Sequence, residues 1–323
     1  MYRNRAVTPS SPTIDIIPNR FVFSIIRVPP QSTNKVFYFS IDNDEQFIYQ
    51  PFFADFGPLS LLQIHVFLIV ALNHMADHQC LVHFYCSSQP QHVSNAVLLA
   101  SAFRLIHMGM KADEAYKPFN RLISQMKPYR DASSYPSTYD LSVLSCIRGI
   151  ERAMANGWYD PNTFDPQSWS DREQVENGDM NWLIPNKLLA FASPYSTNLV
   201  QGFRVCTPSD IVPTFKEIGI TRIVRLNNKT YEENIFKEAG FIHTELFFPD
   251  GTCPPPQILQ EFLNIIEGPD VVALHCKAGL GRTYVFCAIL NEFFFLNLIK
   301  QIITLFNSIN QRNNLMICKF IYI

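Results

Sequence analysis

In VVALHCKAGLGRT, residues 271–283, Cys276 and Arg282 are separated by five residues, two of them glycines. A cysteine is a strong nucleophile as its thiolate, and a guanidinium is a planar fork that matches paired phosphate oxygens. Together they suit transfer of a phosphoryl group to sulfur. The run VVAL before them has the look of a short buried strand, and a helical stretch begins near Arg282. A loop in that position aims backbone N–H groups and the positive end of a helix dipole at one spot, which is a site for an anion. The amides of Lys277, Ala278, Gly279, Leu280, Gly281 and Arg282 are therefore expected to bind phosphate. Both Gly279 and Gly281 are expected at positive φ, where a side chain would clash. In such a field a thiol ionises more readily than in water. Thr283 is expected to donate its hydroxyl to the sulfur and stabilise it as a leaving thiolate, and His275 to hydrogen-bond loop backbone rather than to move protons.

Transfer to sulfur leaves an alkoxide, so a general acid is needed on a neighbouring loop. Asp250 is the candidate: it follows the strand-like TELFF and lies in PDGTCPPP, a Pro/Gly-rich stretch suited to closing over substrate. Its competing role is that of a turn-forming Asp before Gly. The segment AGLGRT has a superficial likeness to a nucleotide-binding loop, but it lacks the Gly-Lys-Ser/Thr ending. The His275-Cys276 pair has no further ligands at metal spacing, so no metal is expected. The eight cysteines show no close pairing and read as reduced thiols of an intracellular protein.

The elements around these residues point to an α/β fold. NKVFYFSID (34–42) and CLVHFYC (80–86) read as strands, GPLSLLQIHVFLIVALNHM and SNAVLLASAFRLIHMG as helices. This first set, a strand ending on Cys86 and then a short loop and a helix, repeats the plan of residues 271–296. Aligning Cys86 with Cys276 puts His92 at the position of Arg282 and Gln89 and Gln91 at the glycines, so the first copy lacks the residues for this chemistry. In the second half, WLIPNKLLAFASP, RIVRLNN and FIHTELFF alternate with the helical DIVPTFKEIG, TYEENIFKEAG and PPQILQEFLNIIEG. That alternation predicts two tandem domains, each a mostly parallel sheet flanked by helices.

The expected boundaries are a flexible tail over 1–19, a first domain over 20–155, an acidic linker over 156–182 and a second domain over 183–323. The linker sets Asp160, Asp165, Asp171, Glu173, Glu176 and Asp179 against Arg172 alone, with a short helix expected around 170–177. It is either a solvated connector or an acidic wall that selects Lys- or Arg-bearing substrates. An apolar content of 47% describes a folded chain, and a net charge of −2 gives no electrostatic case for nucleic acid or anionic membrane as partner. The apolar segments at 61–72 and 284–306 are respectively too short and too polar for membrane spans and read as buried helices; no signal peptide is evident.

These segments resemble the cell-division-cycle "fourteen" family of dual-specificity protein phosphatases. HCKAGLGRT is similar to the family's phosphate loop, LFFPDG to its acid loop, VENGDMNWLIPNKLLAF to the entry of its catalytic domain, and FYFSIDND with FFADFGPLSL to its non-catalytic N-terminal domain. The resemblance implies Cys276 as nucleophile, Arg282 as phosphate-binding residue, Asp250 as general acid, and no metal or organic cofactor. It implies phosphoprotein substrates of mitotic kinases, with phosphoserine before proline and a basic residue downstream, read by Glu173, Glu176 and Asp179. The compartments implied are nucleus or nucleolus, cytoplasm, and the spindle or centrosome region. Two departures stand out. Tyr284 replaces the family's glycine and is expected to crowd the start of the helix, and residues 293–323 contain no Gly, Pro, Ala, Asp or Glu and resemble nothing in the family. A splice product or translated intron is the expected source of that tail. A catalytically impaired, substrate-holding form is the alternative reading, and a phosphatase of a non-protein substrate such as an inositol phosphate a remoter one.

Overall fold

The structure, a computed structural model, describes residues 12–28, 30–51, 53–131, 136–137, 140–200 and 202–286. The expectations for residues 1–11 and for the tail beyond 286, with Cys287 and Cys318, lie outside the described residues. The chain divides into two compact units, Met1–Phe164 and Asp165–Ile323.

The first unit is built on strands β1 (Ile14–Ile17), β2 (Phe21–Ile25), β3 (Val36–Ser40) and β4 (Leu81–Cys86). Helices α1 (Leu61–Asp77), α2 (Pro90–Ile106), α3 (Ala112–Tyr116) and α4 (Val143–Ala155) complete it. The sheet runs β1-β2-β4-β3, with β1 antiparallel at one edge and the other pairs parallel. Residues 14–17 are not part of a flexible tail, because Ile14 and Ile16 are fully buried and their strand pairs with β2. α1 starts where Ser60 and Gln63 form a reciprocal cap, the Ser60 hydroxyl accepting from the Gln63 N–H and the Gln63 side-chain Oε1 from the Ser60 N–H. The sheet's core is aromatic: Phe84 packs on Phe23 at 5.3 Å and on Phe67 at 4.9 Å between ring centroids. Each such fully buried ring stabilises the fold by about 1.5–3 kcal/mol.

The second unit opens with α5 (Pro166–Glu173), capped by the Asp165 carboxylate, which accepts from the Gln167 and Ser168 N–H groups. This helix begins four residues before the one expected at 170–177, because the Asp-Pro pair supplies both cap and first turn. There follow β5 (Asn181–Ile184), β6 (Leu188–Ala192), the short hairpin β7 (Leu199–Val200) and β8 (Phe203–Arg204), α6 (Pro208–Glu217) and β9 (Arg222–Arg225). α7 (Asn234–Glu238), β10 (Ile242–Glu245), α8 (Pro256–Glu267) and β11 (Val272–Cys276) complete the order, and a further helix begins at Gly281. The sheet is β10-β9-β11-β6-β5, parallel except for β5. Phe191, Phe215, Phe236, Phe241 and Ile223 form one core on it.

The two sheets share one plan. In each, an antiparallel edge strand forms a hairpin with the next strand, which pairs in parallel with a central strand ending on a buried cysteine, Cys86 or Cys276. The acidic stretch between them is not free chain. Tyr159 is buried against His65 of the first unit, its hydroxyl 2.9 Å from Nδ1, while Asp165 caps the first helix of the second.

Candidate active site

Every residue of β11 is buried, which carries Cys276 to the C-terminal end of a central strand at 3% exposure. Three backbone contacts fix the loop that follows. The Ser193 N–H donates to the Lys277 carbonyl at 3.1 Å, the Leu226 N–H to the His275 carbonyl at 2.9 Å, and the Tyr284 N–H to the Leu280 carbonyl at 2.9 Å. Gly279 sits at φ +65°, and a Cβ there would lie 2.6 Å from the Phe191 carbonyl oxygen. No side chain fits. Gly281 differs from expectation: it opens the helix in ordinary helical conformation, so one left-handed residue suffices to turn the loop.

Arg282, in the first turn of that helix, is 6% exposed. Its Nη1 donates to the Phe248 carbonyl at 3.2 Å, and its Nε lies 3.4 Å from Asp250 Oδ1. Asp250 thus reaches the site from the loop after β10 while also making its local turn, accepting from the Gly251 N–H at 3.2 Å. Its side chain is 71% exposed, open to an incoming substrate. Thr283 is fully buried beside Arg282. Tyr284 does not crowd the helix, contrary to expectation: its N–H makes the helical bond to Leu280 and the residue is 2% exposed, within the core.

His275 is fully buried. Its Nδ1–H donates to the Cys276 carbonyl at 3.1 Å, and burial pushes its imidazole down to about 3, which keeps it neutral. Sequence reasoning missed its partners. Tyr231 Oη stands 2.7 Å from His275 Nε2 and 2.9 Å from His243 Nε2. It also missed Ser193 and the carbonyls of Leu226 and Phe248, which act through backbone position and carry no side-chain signal.

The expected acidic groove is only partly assembled. Glu176 lines a surface cleft of about 600 Å³ with Asp171 and Asp210, but Arg172 and Arg204 line it too. Glu173 is engaged elsewhere: its carboxylate accepts from Trp169 Nε1 at 2.6 Å, and burial pushes it up to about 7. Asp179 adopts left-handed backbone, φ 45°, in the turn before β5.

The first unit fills its equivalent site with its own anion. The Ser87 N–H, just past Cys86, donates to Asp42 Oδ2 at 2.6 Å, and His92 Nδ1 lies 3.4 Å from Asp42 Oδ1. Burial raises the Cys86 thiol well above its ordinary range. Where the second unit offers loop amides and an arginine, the first presents an imidazole and a carboxylate already paired.

Among the described residues, no group of three His, Cys, Asp or Glu could hold a metal ion, and no helix is long and apolar enough to cross a membrane.

A buried cysteine closing a central parallel strand, a one-glycine anion loop and an arginine heading the next helix define the cysteine-phosphatase class of fold, here in tandem with a degenerate copy. Residues 15–153 match the family described as "Dual specificity protein phosphatase, N-terminal half", and residues 204–292 match "Polymorphic toxin system, DSP-PTPase phosphatase". The chain belongs to the CDC14 family of dual-specificity phosphatases. It is 38% identical over 279 residues to dual specificity protein phosphatase CDC14A of Homo sapiens, covering 83% of this chain and 46% of the relative. It is 36% identical to CDC14B of Mus musculus, over 83% of this chain and 56% of that one. The tyrosine-protein phosphatase cdc-14 of Caenorhabditis elegans is 33% identical over 86% and 42%. The chain thus spans about half the length of these relatives. Among solved structures, kinase associated phosphatase matches at 17% identity over 39% of this chain and 76% of its own, with a TM-score of 0.29.

Proposed function

We propose that the chain is a protein phosphatase acting through a phosphocysteine on Cys276. The observation that carries this reading is the meeting of three elements at one point: Cys276 at the end of β11, Arg282 heading the next helix, and Asp250 at 3.4 Å from Arg282. The thiolate attacks phosphorus, the P–O bond to the substrate breaks, and Asp250 gives its proton to the departing oxygen. Arg282 and the loop amides hold the equatorial oxygens in the transition state. Water then attacks the phosphocysteine, Asp250 takes its proton, and the P–S bond breaks to return the thiolate. Names of relatives support both classes of substrate, since they read "dual specificity" and "tyrosine-protein phosphatase". The first unit, with β1, serves as the non-catalytic domain and the second, from Asp165, as the catalytic one.

The preferred substrate in this proposal carries phosphoserine before proline with a Lys or Arg downstream, as on targets of mitotic kinases. Glu176, in the cleft with Asp171 and Asp210, is the residue that reads the base. The expected compartments are nucleus or nucleolus, cytoplasm and spindle region. A panel of phosphoserine-proline peptides with Lys, Ala or Glu at the downstream position tests the preference. The Lys peptide is expected to have the highest kcat/KM, with the advantage lost in Glu176→Lys. Equal values across the panel would overturn the substrate assignment and leave the chemistry standing.

A further inference from the structure

Four contacts run in series from the active-site loop to a carboxylate of the same unit. His275 Nδ1 is 3.1 Å from the Cys276 carbonyl, and His275 Nε2 is 2.7 Å from Tyr231 Oη. Tyr231 Oη is 2.9 Å from His243 Nε2, and His243 Nδ1 is 3.2 Å from Glu245 Oε1. Both ends accept only. The Cys276 carbonyl has no proton, and the Glu245 carboxylate accepts from Arg225 Nε and Nη2 at 2.9 and 2.6 Å.

The protons can be counted. Two neutral imidazoles and one phenol bring three protons to four contacts. Burial keeps both imidazoles neutral, holding His275 down at about 3 and His243 at about 4, the latter with help from the Arg225 charge. One contact must therefore lack a proton. It is the last one, the longest of the four: among the described residues His243 Nδ1 has no hydrogen-bond partner, although it sits near Glu245. The remaining three protons then all run the same way. His243 Nε2–H donates to Tyr231, the Tyr231 O–H donates to His275 Nε2, and His275 is left with Nδ1–H for the Cys276 carbonyl.

We propose that His243 is a positioning residue of the active site, which, by donating to Tyr231, holds His275 in the Nδ1–H tautomer that braces the Cys276 carbonyl. The inference rests on the phosphatase reading for its catalytic consequence, but not for its tautomer. Without the His243 donor, the Tyr231 hydroxyl can turn and accept from His275 Nε2–H. The bare Nδ1 of His275 would then face the Cys276 carbonyl oxygen across 3.1 Å, lone pair against lone pair, and push the loop that carries the nucleophile. His243 is buried and stacked on Phe236 at 6.1 Å, so a phenylalanine there keeps the packing while removing the donor.

The test uses the full chain with nitrogen-15 histidine and long-range proton–nitrogen correlation, which distinguishes a protonated ring nitrogen from a bare one. The wild type is expected to show His275 as Nδ1–H. In His243→Phe it moves wholly or partly to Nε2–H, and kcat falls about tenfold at nearly constant KM, as for an interaction that matters in the transition state. His243→Gln, which returns an N–H donor, restores both. Tyr231→Phe breaks the chain by itself, and adding His243→Phe to it changes nothing further. The proposal is overturned if His275 stays Nδ1–H in His243→Phe, or if the Gln and Phe variants are equally impaired, or if the wild type shows Nε2–H. Should the wild type release no phosphate at all, the phosphatase reading fails while the tautomer result still decides this one.

Discussion

Replacing Gly279 by alanine tests whether the loop geometry, rather than the residue list, makes the site. The residue stands at φ +65°, and an alanine Cβ would lie 2.6 Å from the Phe191 carbonyl oxygen and 2.8 Å from its carbon. Left-handed backbone costs a non-glycine residue about 1–2 kcal/mol. Relieving the clash, which is with a core strand rather than a flexible side chain, adds about 1–3 kcal/mol by the cost of overpacking. The expected loss of stability is therefore about 2–5 kcal/mol. Gly219, in the same unit at φ +79° with nothing within 4 Å of its Cβ position, provides the control. Gly219→Ala is expected to lose only the backbone part, about 1–2 kcal/mol, with full activity. Gly279→Ala moves the loop by a fraction of an ångström or more, and displacement on that scale costs about a hundredfold in rate. Urea denaturation followed by kcat/KM on a phosphopeptide measures both effects. If Gly279→Ala matches Gly219→Ala in stability and keeps wild-type kcat/KM, the close approach to Phe191 is not what shapes the loop.

Asp250→Asn is expected to lower kcat about 10²–10⁴-fold on phosphoserine, whose alkoxide needs a proton, and much less on an aryl phosphate with an acidic leaving group; equal losses on both would remove Asp250 from the acid role. Asp42→Ala strips the Ser87 N–H and His92 of their shared partner and is expected to cost about 1–3 kcal/mol. The His92 imidazole, raised by the Asp42 carboxylate 3.4 Å away, falls in that variant; an unchanged proton-NMR titration of His92 would count against the internal anion. Between neutral pH and about pH 4.5, three groups in the second unit dominate the pH dependence of its stability. His275 and His243 have folded values, about 3 and about 4, below the unfolded one, so their contribution is complete above about pH 6.5 and is lost as pH falls. Glu173, raised to about 7, acts in the opposite sense by taking a proton on folding. Between about pH 6.5 and 4.5 the net is one proton taken up on unfolding, a slope of about 1.4 kcal/mol per pH unit. Glu173→Gln is expected to double it. Denaturation followed by the fluorescence of Trp169 and Trp182 measures the slope, and a flat profile would contradict the neutral histidines.

The strands of both units and the helices after them were legible because their apolar runs are short, dense and punctuated, as in VVAL and CLVHFYC. β1 was not: IDII lies between prolines and arginines, and its burial depends on pairing with Phe21–Ile25. The chemistry proposed for Cys276, Arg282 and Asp250 is read from residue type and loop context, since each proposed role demands a particular side chain. The role of Gly281 was not legible, because glycine in sequence does not say whether its φ is positive; Phe191 forces that question only at Gly279. The chain of Tyr231 and His243 was invisible for a different reason. Three strand ends, at residues 225, 245 and 276, bring it together, and no spacing along the sequence records their register. The acidic stretch misled through composition, since Asp165 and Glu173 are bound within α5 as cap and tryptophan acceptor.

The most direct measurement is phosphate release from a phosphoserine-proline peptide with a downstream lysine, followed from the first turnover onward with wild type and Cys276→Ser. Sustained release by the wild type, abolished in the serine variant, is the expected result. Release that persists in Cys276→Ser would contradict the phosphocysteine, and a single burst of one equivalent followed by silence would contradict its hydrolysis.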